Sequence, residues 1–134
     1  MKAFYTDHFV LPLPAGHRFP MEKYSRLRDL VAALPEVELL EAPSVTDTQI
    51  LYAHDPDYLI KVLKGNLSIG EQREIGFPWS EKMVERSRRS AGASVAAAKI
   101  ALNEGIAANL AGGTHHAYRD HGSGFCVFND AAFG

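Results

Sequence analysis

One stretch limits the folds open to this chain more than any other, residues 80–113. Ser80 is placed to cap a helix that runs to about Glu104, and Gly105 is a helix stop. Val84, Ala91, Val95, Ala98 and Leu102 recur on one face of that helix, and Ala91, Gly92, Ala93 and Ser94 are small enough for close packing. An apolar run, residues 106–111, follows directly and breaks at Gly112-Gly113. A long helix that feeds a short apolar strand suits a parallel sheet, which needs helical crossovers. The run is expected to be a buried strand, with the glycine pair at its carboxyl end.

The upstream chain keeps the same alternation. Residues 3–6 are a β-prone opening. Pro12, Pro14, Gly16 and Pro20 then break regular structure, so residues 11–20 are expected as a loop. Pro20 suits the start of a helix. Met21, Tyr24, Leu27, Leu30, Val31 and Leu34 follow at helical spacing, predicting one buried face, and Pro35 ends the helix. Residues 36–41 predict a second strand. Two short helices come next, one opened by the capping-box spacing of residues 46–49 and one from Asp55-Pro56 to Gly65 with Leu59, Val62 and Leu63 on its apolar face. Residues 65–79, rich in Gly, Ser and charge, are expected as an extended surface loop. The whole predicts an α/β fold with a parallel sheet, in which ligands bind at the carboxyl ends of strands.

A chain of 134 residues supports one domain at most. A net charge of −2 without a basic run gives nucleic acid no evident footing. The N-terminus has no apolar stretch long enough for a signal peptide or a membrane span, and a single cysteine rules out an internal disulfide framework. Together these point to the cytoplasm, with no membrane partner.

Residues 112–130 hold three of the six histidines, four of the eleven glycines and the only cysteine. In an extended strand His115 and His116 would point to opposite faces, so one pocket can hold both only if the backbone is irregular there, which the flanking glycines permit. Two imidazoles in one pocket suit acid–base work, one as general base and the other against developing negative charge. The alternative is a pair of ordinary histidines on a turn. Cys126 is either a nucleophile with a histidine base or a small buried apolar residue, and the second is the commoner use. His115, His116 and His121 would make a metal site only if they converge; a solvated tip is the plainer reading for Asp120-His121. Asn129 or Asp130 suits a cap for a helix beginning at Ala131.

The motif Gly112-Gly113-Thr114-His115-His116-Ala117, followed by Ser123-Gly124-Phe125-Cys126-Val127-Phe128-Asn129-Asp130, resembles the signature of the zinc-dependent histone deacetylase family, which includes bacterial acetoin-utilisation-type deacetylases and acetylpolyamine amidohydrolases. Gly16-His17-Arg18-Phe19-Pro20-Met21-Glu22-Lys23-Tyr24 is similar to the first-loop motif of bacterial and class IV members. His54-Asp55-Pro56-Asp57-Tyr58 resembles a further family segment. The resemblance implies a three-layer arginase/deacetylase-type parallel sheet flanked by helices, incomplete in this chain, with residues 1–134 forming the N-terminal part of one catalytic domain. It implies hydrolysis of an N-acyl amide such as acetyl-lysine or an acetylpolyamine. His116 would be the general base for a zinc-bound water and His115 its electrostatic aid. Gly124 and Phe125 would wall the acyl tunnel, and Cys126 would line its foot. The family's zinc ligands, two aspartates and a histidine, match no position here, so no metal is expected from these residues alone. Residues 65–79 offer Glu71 and Glu74 but no aspartate to match the substrate clamp of eukaryotic members, and Lys23 stands where many members carry arginine. The alternative expectation is a non-catalytic, truncated module that associates with itself or with a missing C-terminal portion.

Overall fold

A computed structural model describes residues 1–132. Three strands form a parallel sheet in the order β2-β1-β3: β1 is Lys2–Tyr5, β2 is Glu38–Glu41 and β3 is Ala107–Asn109. Ala3 pairs with Leu39 on one side and Ala108 on the other. Helix α1 (Glu22–Ala32) connects β1 to β2. Helices α2 (Asp47–Ile50), α3 (Pro56–Lys64), α4 (Ile69–Ile75) and α5 (Glu81–Glu104) lie between β2 and β3, and a 3-10 turn, Asp130–Ala132, closes the described chain. Among the described residues no helix is long and apolar enough to cross a membrane.

Side chains alternate across a strand, so Phe4 faces one side of the sheet and Ala3 the other. Phe4 packs with Ala42, Ala93 and Ala97, which seats α5 on the sheet. Gly92 explains the closeness: a Cβ there would lie 2.0 Å from the carbonyl oxygen of Pro43. The chain leaving β2 therefore touches the helix backbone, and Val45 donates its N–H to Arg88 O at 3.1 Å. The larger core joins Ile50, Tyr58, Val62, Ile75, Met83, Val127 and Phe128, between α3, α4, α5 and the C-terminal loop.

Four expectations need correction. Residues 65–79 are not a loop throughout: Ser68 and Glu71 form a reciprocal capping box that starts α4, and Ile75 and Phe77 beyond it are buried. The polar composition hid a short helix that buries Ile75 and leaves Ile69 exposed. The face of α1 is not buried, with Leu30 71% exposed and no residue of that helix in the core; Leu102 of α5 is likewise 87% exposed. Periodicity marks a face able to be covered, but the described chain supplies nothing to cover these. Strand β3 is only half buried, because it pairs on one side and forms an edge of the three strands. Finally, the helix expected from Ala131 is a single 3-10 turn, and Phe133 and Gly134 lie outside the described residues.

Candidate active site

From β1 the chain crosses to β2 on one side, and later to β3 on the other. The strand order thus reverses at β1, and the crevice outside the carboxyl ends of β1 and β3 is where such sheets bind ligands. The loops that leave these two ends meet there. Phe19 of the first loop lies 5.0 Å from Phe125 of the second, centroid to centroid, and the His17 ring donates from Nε2 to Gly76 O at 2.9 Å while Nδ1 accepts the N–H of Phe19.

The second loop is shaped from beneath by Asp130, which is 2% exposed. Its carboxylate accepts the N–H of Gly113 at 2.9 Å, the N–H of Thr114 at 2.8 Å and the hydroxyl of Ser94 at 2.6 Å. Asn109, at the end of β3, ties the same knot by donating to Ser90 O and Ser94 Oγ. Gly113 takes a φ of +88°, open to glycine without penalty, and the chain turns at His115-His116. The two imidazoles consequently share one side, with ring centroids 4.3 Å apart and planes inclined by 39°. Both are exposed, and neither ring nitrogen has a hydrogen-bond partner among the described residues. The irregular backbone required for a shared site is present.

Ser123 and Cys126 exchange backbone hydrogen bonds of 3.0 and 2.8 Å around Gly124 and Phe125, whose φ values are +54° and +68°. Positive φ at both central positions suits Gly124 but costs Phe125 about 1–2 kcal/mol. Phe125 is held there by its N–H bond to Ile75 O at 2.7 Å and by packing on Phe19 and Phe77. Gly124 presses on the base of His116: a Cβ there would meet His116 Cβ and Cγ at 3.3 Å. Cys126 is buried, burial pushes its thiol pKa up, and its Sγ points to Gly124 O at 3.5 Å. A thiol held protonated is a poor nucleophile, which agrees with the apolar reading of this residue.

His54 and Tyr58 are the supports that sequence reasoning noticed only as a resemblance. They sit just before and within α3, both 2% exposed. The Tyr58 hydroxyl donates to Val127 O at 2.8 Å, and His54 Nε2 accepts the N–H of Asn129 at 2.9 Å while Nδ1 faces Arg119 O at 3.3 Å. Asn129 in turn donates from its side chain to Ala117 O at 2.8 Å. His54 precedes the extended Asp55 cap and lies outside α3, so helical spacing does not align it with Tyr58, and the resemblance was the available signal. Asp130, expected as a possible helix cap, instead caps the Gly113-Thr114 backbone.

Burial holds the His54 pKa below its ordinary value. The folded state therefore favours the neutral ring, while the unfolded chain takes up the proton first. His54 is neutral in both states above its unfolded pKa, so its contribution to stability is complete there. That contribution is lost as pH falls below the unfolded value, about 6.5, toward the lower folded one. Urea midpoints measured at pH 7.5 and 5.0 are expected to fall less in His54→Gln than in the parent chain.

His121 does not join the pair. Its ring stacks on Tyr118 at 4.5 Å, Nδ1 contacts Asp120 at 2.7 Å and Nε2 faces Glu74 at 3.5 Å. Among the described residues no three His, Cys, Asp or Glu side chains are placed to hold a metal ion, so the reading of His115, His116 and His121 as a metal site fails.

The sheet and its histidine loop define an α/β protein with a paired-imidazole site at a strand-order reversal. Residues 17–134 match the histone deacetylase domain model. The chain is 40% identical over 131 residues to an uncharacterized protein of Picosynechococcus, covering 96% of this chain and 44% of that one. It is 28% identical to histone deacetylase 2 of Arabidopsis thaliana over 124 residues, covering 85% and 32%. It superposes on the crystal structure of a histone deacetylase homologue from Aquifex aeolicus with a TM-score of 0.77 at 26% identity, covering 99% of this chain and 39% of that one. The chain belongs to the histone deacetylase family, and its sheet is part of the arginase/deacetylase fold. It spans less than half the length of these relatives.

Proposed function

We propose that these residues form the proton-handling half of a deacylase site that hydrolyses N-acyl amides such as acetyl-lysine. The single observation that carries the reading is the imidazole pair, 4.3 Å apart on a braced, exposed turn at the sheet's carboxyl edge. Hydrolysis of an amide needs a base to take a proton from the attacking water and a donor for the departing amine. His116, backed by Gly124, takes the first role, and His115 stabilises the charge that develops beside it. Phe125 and Gly124 shape the wall along the acyl-bearing chain, and Cys126 lines the floor without reacting.

The family resemblance implies zinc as Lewis acid and activator of the water. The described residues do not by themselves fit that ion, since they hold no cluster of ligands; their share is the base, the wall and the floor. Residues 1–134 alone are accordingly expected to lose zinc on dialysis, and a retained equivalent per chain would contradict this. The function is tested by acetate release from an acetyl-lysine peptide by a protein that carries the complete family domain. Release that stops with a chelator and returns with zinc supports the reading, and its absence refutes it.

Leu27, Leu30 and Leu34, open to solvent on or just after α1, favour a second reading, a non-catalytic module that buries this stripe against another copy of itself. Sedimentation equilibrium separates the two: a concentration-dependent dimer without acetate release supports the module, and a monomer excludes it.

A further inference from the structure

Cations gather on one side of the histidine loop without carboxylates to match them. The Arg18 guanidinium carbon lies 5.0 Å from the centroid of the Phe125 ring. Lys23 Nζ lies 4.9 Å from both Phe19 and Tyr24, and Arg86 sits 4.5 Å from Tyr24 and 5.9 Å from Phe19. Arg26, Arg28, Arg88, Arg89 and Arg119 are all held in ion pairs. Among the described residues Arg18, Lys23 and Arg86 have none. Arg86 is only 7% exposed, its Nη2 has no hydrogen-bond partner, and it lines an enclosed hollow together with Thr114 and Phe125. Nearby acids are occupied: Glu22 pairs with Arg26, Glu74 faces His121, and Asp130 is buried under the loop.

This cluster adjoins the site, because Phe125 follows Gly124, which touches His116. A guanidinium laid on a ring face keeps its N–H edge free for a carboxylate, and the ring supports the charge. We infer that the Phe19–Tyr24–Phe125 side of the site selects acyl amides that carry a carboxylate on, or directly beside, the residue whose side chain bears the acylated nitrogen. This rests on the deacylase reading and narrows it. Substrates flanked by ammonium groups, acetylpolyamines or basic peptide tails among them, meet like charge at Arg18 and Lys23. The carboxylate has two sources, an acidic residue beside acetyl-lysine in a peptide or the α-carboxylate of free acetyl-lysine.

The test compares kcat/KM of the zinc-loaded full-length protein for an acetyl-lysine peptide flanked by Asp, the same peptide flanked by Lys, N-acetylputrescine, and Nα-blocked acetyl-lysine as its free acid and its amide. The acidic peptide is expected to lead the basic one by about 3–10-fold at low salt, the range of one or two exposed charge pairs, with the gap closing as salt rises. The ratio is expected to fall toward one in Arg18→Gln combined with Lys23→Gln. An advantage of free acid over amide assigns the small-molecule source, and an advantage confined to the peptides assigns the acidic segment. Equal turnover of acidic and basic substrates, or a preference untouched by the two substitutions, overturns this inference and leaves the deacylase reading standing. Turnover of none of them overturns both.

Discussion

Asp130→Ala is expected to destabilise the protein by about 2–4 kcal/mol, because three part-buried donors lose a charged, buried acceptor at once and each such bond is worth about 1 kcal/mol or somewhat more. Those donors are the amides of Gly113 and Thr114 and the hydroxyl of Ser94. No neighbour can replace the carboxylate, since Asn109 already spends its amide nitrogen on Ser90 and Ser94 and its oxygen on the N–H of Ala111. Asp130→Asn keeps the shape but turns one acceptor into a donor facing donors, so its loss falls between parent and alanine. Urea unfolding gives the energies. Amide exchange at Gly113 and Thr114 shows whether the loss starts in the histidine loop. A loss below about 1 kcal/mol with unchanged exchange would show that Asp130 does not brace the loop.

Gly92→Ala carries the second large effect, and its sign makes it diagnostic. Helix propensity alone favours alanine at an interior helical position by about 1 kcal/mol. Here the new methyl would lie 2.0 Å from Pro43 O and 2.8 Å from Val45 N. These are backbone atoms. They cannot retreat without breaking the bond from Val45 N–H to Arg88 O and the bond from Arg88 Nη1 to Val45 O. Overpacking against backbone outweighs propensity, and a net loss of about 3 kcal/mol is expected in thermal or urea unfolding. A neutral or stabilising result would mean that α5 does not lie this close to the exit of β2.

The parts of the fold that local chemistry dictates were legible in the sequence. Ser80 and Gly105 bound α5, Asp55-Pro56 and Gly65 bound α3, and the glycine pair follows the last strand. Expectation failed where burial depends on what else is near. The leucines of α1 have helical spacing but no cover, and β3 is apolar yet lies at an edge. The helix α4 was hidden because its Gly70 and charged residues outnumber the apolar ones, although Ser68 and Glu71 carried a legible capping box. At the site, the flanking glycines permitted a shared side for His115 and His116 but did not require it. The left-handed backbone of Phe125 did not, because nothing in a phenylalanine signals positive φ; only the packing of Phe19 and Phe77 and the bond to Ile75 O hold it. The brace on Asp130 joins residues far apart in sequence, so no local pattern announces it.

The most direct test of the central claim compares His116→Ala with Cys126→Ser in the full-length, zinc-loaded protein, with metal content and melting temperature checked for both. A positioned general base is worth about 10²–10⁴-fold, so His116→Ala is expected to lower kcat/KM for acetyl-lysine hydrolysis by that factor with metal content unchanged. Cys126 is buried and its thiol pKa raised, so Cys126→Ser is expected to stay within about tenfold of the parent. Full activity in His116→Ala, or its abolition in a folded Cys126→Ser, would contradict the assignment of proton handling to the histidine pair.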